Sequence, residues 1–156
     1  MPRVKIDYVA SFSSEDPEHP ACNLLLREVS KKKWLCAKGE STCSVVLQLS
    51  RAIQISAVHI GAYHAALVEV LVGRSETASE PFQVLVPSSV FVSREESRGA
   101  APVERVRSFR AEQLGAARAE RWDRLRVVCS QPYARRSQFG LSFVHVEESA
   151  GAPGST

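Results

Sequence analysis

Four histidines, four cysteines and a group of arginines are the side chains of this 156-residue chain best suited to chemistry. The histidines have no HExxH or paired-ligand spacing, and the cysteines have no CxxC or Cys/His spacing typical of zinc. There is also no GxSxG elbow, Walker loop or GxGxxG turn. Most carboxylates lie in charged runs, where a salt-bridged surface is the simpler interpretation. These patterns disfavour an enzyme, a cofactor or a metal site, although a triad assembled from distant positions stays open. The histidines are His19, His59, His64 and His145, and His59 is expected to be a hydrogen-bonded sheet residue.

Positive charge is concentrated in one part of the chain. The net charge is +3, but residues 94–136 hold eleven arginines and six acids. Arginine favours bidentate recognition of phosphate or carboxylate, so the segment predicts phosphate contacts, with a solvated charged face as the alternative. The candidate phosphate-contacting residues are Arg105, Arg107, Arg110, Arg121, Arg124, Arg126, Arg135 and Arg136, with a second basic run at Lys31, Lys32 and Lys33. Few aromatic residues are interleaved with them, so base stacking is a weak expectation.

Short alternating segments must position these side chains. Strands are predicted at Val4–Tyr8, Cys43–Leu49, Ile53–Gly61, Ala66–Gly73, Phe82–Val86, Arg105–Phe109, Arg121–Ser130 and Phe139–Val146. Helices are predicted only at Asn23–Lys33 and Ala111–Ala119, while Ser75–Pro81 and Arg94–Pro102 are interpreted as loops. This pattern predicts an all-β fold, an antiparallel β-sandwich or jelly roll with one or two short helices.

The chain length is typical of one domain, which we place at residues 1–147, followed by a disordered tail at residues 148–156. We find no signal peptide, transit peptide or long apolar span. The cysteines sit mainly among apolar neighbours. Together these features predict a soluble, intracellular and reduced protein with no membrane contact.

Two neighbouring strands carry more apolar residues than a single buried face needs. In ALVEVLV at 66–72, the valines share one face, while Leu67 and Glu69 lie on the other. If Leu67, Val84 and Val86 share an outward face, they form a small apolar patch edged by Glu69 and Arg107. Charge-rimmed patches of this kind mark protein–protein contacts. The alternative is that both strands are buried on both faces.

Several longer segments are similar to one known family. The segments of this chain that carry the similarity are MPRVKIDYVASFSSEDPEH at the start, SVVLQL, HIGAYHAALVEVLVG, RWDRLRVVCSQPY and FGLSFV. Over about residues 1–147 the chain resembles the N-terminal domain of the X-ray cross-complementing scaffold proteins of DNA single-strand-break repair. It looks like a stand-alone paralogue carrying only that domain, or a fragment of a divergent orthologue.

The resemblance implies a galactose-binding-like β-sandwich without catalytic activity. It also implies a nuclear protein that binds the catalytic domain of DNA polymerase beta and nicked or gapped DNA, with no cofactor and no small-molecule substrate. Carried onto matching positions, the polymerase-binding residues are Leu67, Glu69, Val84, Val86 and Arg107.

Three departures from the family pattern bear on function. Leu67 stands where the family usually has an aromatic residue, so it should fill a partner pocket less completely. Phe12 and Pro20 replace the two cysteines that can form a redox-sensitive disulfide in the family. The loop Gly73–Phe82 is also shorter than expected.

Two other functions are alternatives to a repair adaptor that binds the polymerase. One is a divergent paralogue that competes with the full scaffold, and the other is a module for another ligand such as carbohydrate, which rests on fold analogy alone.

Overall fold

Two antiparallel five-stranded sheets pack face to face in the computed structural model, which describes residues 3–25, 32–77, 79–134 and 136–149. The strands are β1 (Arg3–Val4), β2 (Ile6–Phe12), β3 (Trp34–Leu35), β4 (Thr42–Ile53), β5 (Ile55–Tyr63), β6 (Leu67–Gly73), β7 (Gln83–Val90), β8 (Glu104–Arg110), β9 (Trp122–Ser130) and β10 (Gly140–Glu148). Sheet 1 has the order β1-β10-β5-β8, with β3 also paired to β10, and sheet 2 has the order β2-β4-β9-β6-β7. The predicted β-sandwich is confirmed.

The core lies between the sheets and follows the alternation of the strands. In β9, Leu125, Val127 and Cys129 are buried, while the residues between them face away from the core. The same alternation buries Val68, Val70 and Val72 of β6. Each sheet therefore leaves one outer face for solvent or partners.

In the residues that the structure describes, the two predicted helices contain 3₁₀ turns and no α-helix. A 3₁₀-helix covers Ala21–Leu25, and the rest of the predicted helix Asn23–Lys33 falls largely outside the described residues. The predicted helix Ala111–Ala119 is two 3₁₀ turns, Ala111–Gln113 and Ala116–Ala119. They are separated at Gly115, a residue that is unfavourable inside a helix.

The segment interpreted as the loop Arg94–Pro102 begins with a short α-helix, Arg94–Ser97. Ser93 and Glu96 form a reciprocal capping box, with the hydroxyl accepting from the Glu96 amide and the carboxylate accepting from the Ser93 amide. Arg105 of β8 then donates two hydrogen bonds of 2.7 Å to the Glu96 carboxylate. These bonds, led by that from Arg105, lower the pKa of Glu96 to about 2.

Three of the four cysteines are buried in the core, and only Cys22 is exposed. Cys43 pairs with Cys129 across β4 and β9. The hydrogen bond with Cys43, together with burial, raises the pKa of the Cys36 thiol. The hydrogen bond with Cys129 likewise raises the pKa of the Cys43 thiol. Because the thiolate is the reactive form, the raised pKa makes Cys36 and Cys43 poor nucleophiles at neutral pH.

Candidate protein-binding surface

The outward face of β6 carries the Leu–Glu–Leu pattern of the sequence. Leu67, Glu69 and Leu71 are all half-buried on the outer face of sheet 2. Glu69 pairs across the ladder with Val128 of β9, and Leu71 pairs with Arg126. An apolar strip with charged neighbours therefore faces outward, so the alternative of strands buried on both faces does not hold for β6.

Val84 of β7 extends this strip, whereas Val86 does not. Val84 pairs with Leu71 and is 46% exposed, but Val86 pairs with the core residue Val70 and is 1% exposed. The expectation that both valines face outward is wrong because the ladder shifts register between Val70 and Leu71. Leu85 is the extra residue of this bulge, so it and Val86 both point into the core.

The far end of β7 supplies an apolar residue that sequence reasoning missed. Val90 pairs with Leu67 and is 61% exposed. The sequence predicted a strand that ends at Val86, immediately before Pro87. The observed β7 continues past Pro87 because it is an edge strand, where proline is tolerated.

Arg107 joins the edge of this surface from the other sheet. Its Nη1 donates a 2.9 Å hydrogen bond to the carbonyl of Val90. Its guanidinium carbon also lies 5.5 Å from the ring centroid of Phe91 and 4.9 Å from that of Phe109. These contacts hold the positive group beside Val90. We call the set Leu67, Glu69, Leu71, Val84, Val90 and Arg107 the apolar strip.

The basic residues of the predicted DNA site do not share one surface. Arg124 and Arg126 lie on the outer face of sheet 2, and the Arg124 Nε donates to the Gln48 side chain. Arg105 is bound to Glu96, and Arg110 is exposed at the end of β8. The remaining candidates are the exposed residues Arg121, Lys32 and Arg136, the half-buried Lys33, and Lys31 and Arg135, which lie outside the described residues.

A cavity of about 210 Å³ at one end of the sandwich brings some of this charge next to an aromatic ring. Tyr63 lines it, and the Lys33 ammonium lies 4.6 Å from the centroid of that ring. Ser137 also lines it, immediately after the exposed Arg136. The same Lys33 ammonium lies 3.5 Å from the exposed Glu104 carboxylate, so its charge is partly paired within the domain.

Buried hydrogen bonds fix the wall of this end cavity. His64 adopts φ 51°, and its Nδ1 accepts a hydrogen bond from the Val103 amide. Its Nε2 therefore carries the proton and donates to the Ser97 carbonyl at 3.0 Å. The Gln131 amide donates to the His64 carbonyl at 2.7 Å. These hydrogen bonds connect the wall residue His64 to three other segments of the chain.

His59 is a satisfied sheet residue, as predicted. Its Nδ1 lies 2.7 Å from the Ser108 hydroxyl, and its Nε2 hydrogen bonds with the Glu147 carboxylate. The three residues come from β5, β8 and β10, so they connect adjacent strands of sheet 1. Their separation in the chain hid this cluster from the sequence analysis.

Within the described residues, no group of three or more His, Cys, Asp or Glu side chains could hold a metal ion. No helix in the same ranges has the length and apolar character needed to cross a membrane.

The XRCC1 N-terminal domain family matches residues 1–146. The chain belongs to this family. It is 48% identical over 148 residues to the human DNA repair protein XRCC1, a match that covers 92% of this chain and 23% of that protein. It is 49% identical over 150 residues to mouse XRCC1, covering 92% of this chain and 24% of that protein. The chain therefore spans less than a quarter of the length of these curated relatives.

Solved XRCC1 domains share the fold. The crystal structure of reduced XRCC1 bound to the DNA polymerase beta catalytic domain matches with a TM-score of 0.90 and 45% identity, covering 96% of this chain and 100% of that chain. A chitosan-binding module from Paenibacillus matches with a TM-score of 0.66 and 13% identity, covering 92% and 96% of the two chains. This second likeness shows that the two chains share a β-sandwich fold.

Proposed function

We propose that this XRCC1 N-terminal domain is a non-catalytic adaptor in the nuclear repair of DNA single-strand breaks and damaged bases. In this proposal, the apolar strip binds the catalytic domain of DNA polymerase beta. The observation that carries the proposal is the outward apolar strip on β6 and β7, in a domain whose XRCC1 relative was solved bound to that catalytic domain.

The chemistry of the strip suits a protein partner. Leu67, Val84 and Val90 offer an apolar centre, while Glu69 and Arg107 supply opposite charges beside it. Arg107 is held by Val90 and by two aromatic rings, so little conformational freedom remains to be lost on binding. In this proposal, Leu67, Leu71 and Val84 make the strongest contacts with the polymerase.

Calorimetric titration with the polymerase beta catalytic domain tests this surface. Leu67→Arg buries a charge in the apolar centre, and we expect a loss of at least about 2 kcal/mol, roughly thirtyfold in Kd. Val106→Arg is the matched control, because Val106 is 60% exposed on β8 of the opposite sheet. Equal affinity of the wild type, Leu67→Arg and Val106→Arg would refute the proposed surface.

DNA binding is a second candidate function, and the end cavity favours it. The Lys33 ammonium contacts the ring of Tyr63, and Arg136 directly precedes Ser137; Tyr63 and Ser137 both line the cavity. We propose that nicked or gapped DNA contacts this end of the sandwich. The same domain would then hold polymerase and damaged DNA on different surfaces.

Fluorescence anisotropy with gapped and intact duplexes tests the DNA proposal. Gapped DNA should bind more tightly, and the double variant Lys33→Gln/Arg136→Gln should reduce the slope of log K against log salt by about 1.8, or 0.9 for each lost phosphate contact. Lys5→Gln/Arg118→Gln removes the same charge from two exposed positions, neither of which adjoins a residue that lines the cavity. Equal binding of gapped and intact DNA, or equal losses in both double variants, would refute damage recognition at this cavity.

A further inference from the structure

Sheet 1 carries a second cavity that neither proposed function uses. It has a volume of about 290 Å³ and lies where the start of β5, the end of β8 and the end of β10 meet. Arg110 and Arg118 line it, above an apolar floor that includes Ile55 and Ala57. The two arginines come from β8 and from the 3₁₀ turn Ala116–Ala119, so the fold brings them to the same cavity from separate elements.

Both guanidinium groups remain available for a ligand. Neither forms a hydrogen bond or salt bridge through its side chain with any residue in the ranges that the structure describes. The hydrogen bond that stabilises the end of β8 uses the Arg110 backbone amide, which donates to the Gln113 side chain at 3.0 Å. Arg105 and Arg107 of the same strand β8, by contrast, already bind the Glu96 carboxylate and the Val90 carbonyl.

Glu147 is the acidic side chain lining this cavity, and it already has a partner. Its carboxylate is bound by His59, and this hydrogen bond lowers the pKa of Glu147, with a further contribution from the charge of Arg110. Glu147 is therefore ionised and directed toward the sheet face. It limits the positive charge of the cavity without neutralising either arginine by direct contact.

Two arginines facing one cavity match a phosphate monoester. Such a group carries about −1.5 to −2 charges at neutral pH and offers three acceptor oxygens, which suits two guanidinium forks. A single carboxylate would satisfy only one fork. Ser56 and Ser149 also line the cavity, so polar groups surround the site of the phosphate.

We propose that this cavity binds a phosphorylated serine or threonine side chain of a protein partner. A peptide fits better than a nucleic acid for two reasons. The residues lining the cavity include no aromatic ring on which a base would stack, and ionised Glu147 would repel a polyanionic backbone running past it. The cavity also has room for one side chain and its neighbours rather than for an extended strand.

NMR titration of the full chain with acetyl-Gly-phosphoSer-Gly-amide tests the site. We expect saturable shifts in β5, β8 and the end of β10, none with the unphosphorylated peptide, and affinity reduced by about tenfold or more in Arg110→Gln/Arg118→Gln. Arg94→Gln/Arg98→Gln is the charge-matched control and should bind as the wild type does. Thermal unfolding of both double variants should be little changed, since the substituted side chains form no hydrogen bond or salt bridge among the described residues.

Three results would overturn the proposal. Binding of the unphosphorylated peptide with equal affinity would remove the role of phosphate. An equal loss of phosphopeptide affinity in the two double variants would show that the arginines act only through the net charge of the domain. Tighter binding of a 5′-phosphorylated DNA oligonucleotide than of the phosphopeptide, lost in Arg110→Gln/Arg118→Gln, would assign the cavity to nucleic acid instead.

Discussion

Two valines placed in the same patch by family resemblance should behave in opposite ways. Val86 is 1% exposed and faces the core, whereas Val84 is 46% exposed in the apolar strip. Val86→Ala should therefore reduce stability and leave the contact surface intact. Val84→Ala should leave stability intact and weaken polymerase beta binding.

The expected magnitudes follow from burial. Val86→Ala removes two buried methyl groups, worth about 0.8 kcal/mol each, and leaves a cavity, so we expect a loss of about 2–3 kcal/mol. For a domain of this size that corresponds to a decrease in Tm of roughly 4–10 °C. Val84→Ala should change the free energy of unfolding by less than about 0.5 kcal/mol. It should cost about 1 kcal/mol in binding, or roughly fivefold in Kd.

Urea denaturation followed by circular dichroism gives the stabilities, and calorimetry below the unfolding transition gives the affinities. Val106→Ala, an exposed valine on the opposite sheet, should change neither quantity. The bulge argument is refuted if Val86→Ala weakens binding while the domain keeps its stability, because Val86 would then face the partner.

Three further predictions concern the fold. The Glu96 carboxyl should titrate in NMR with a pKa of about 2, and Arg105→Gln should raise this pKa. The Glu96–Arg105 pair stabilises the fold above about pH 4.5, and its contribution should be lost as the pH falls toward 2. Gly140→Ala should destabilise the domain by about 3 kcal/mol in urea denaturation, because a Cβ there would lie 2.0 Å from a carbonyl oxygen of β3. Gly115→Ala, whose Cβ would meet its nearest atoms at 3.4 Å, should cost much less, and equal costs would contradict the steric argument. Ellman's reagent should modify Cys22 rapidly in the folded protein and the other three thiols only after unfolding; rapid reaction of all four would contradict the burial of the core cysteines.

The strands could be predicted because sandwich strands alternate with period two. Every predicted strand has a counterpart, and the Leu67–Glu69 face of β6 followed directly from that alternation. The two-residue strand β3 at Trp34–Leu35 was missed, since a pair of residues shows no period. The helix at Arg94–Ser97 was missed although its capping box can be recognised in the sequence as Ser93 followed three residues later by Glu96.

The candidate surfaces were less predictable because they depend on register and on distant contacts. Strict alternation places Val84 and Val86 on one face, and only the bulge at Leu85 separates them. From the sequence alone, Arg105 and Arg110 were treated alike, as candidate contacts to DNA. The fold separates Arg105, which is bound to Glu96, from Arg110, which faces an open cavity. Charge composition cannot make that distinction, since it depends on which acid each guanidinium reaches.

The form of β7 also indicates how a partner would dock on the apolar strip. As the edge strand of sheet 2, β7 would ordinarily invite another chain to add a strand. Pro87 has no amide hydrogen to donate, and two register shifts against β6 distort the edge. Strand addition along this edge is therefore disfavoured, while Val84 and Val90 remain exposed on its face. A partner should accordingly insert side chains against the strip, so that affinity depends on apolar burial and is sensitive to single substitutions such as Leu67→Arg.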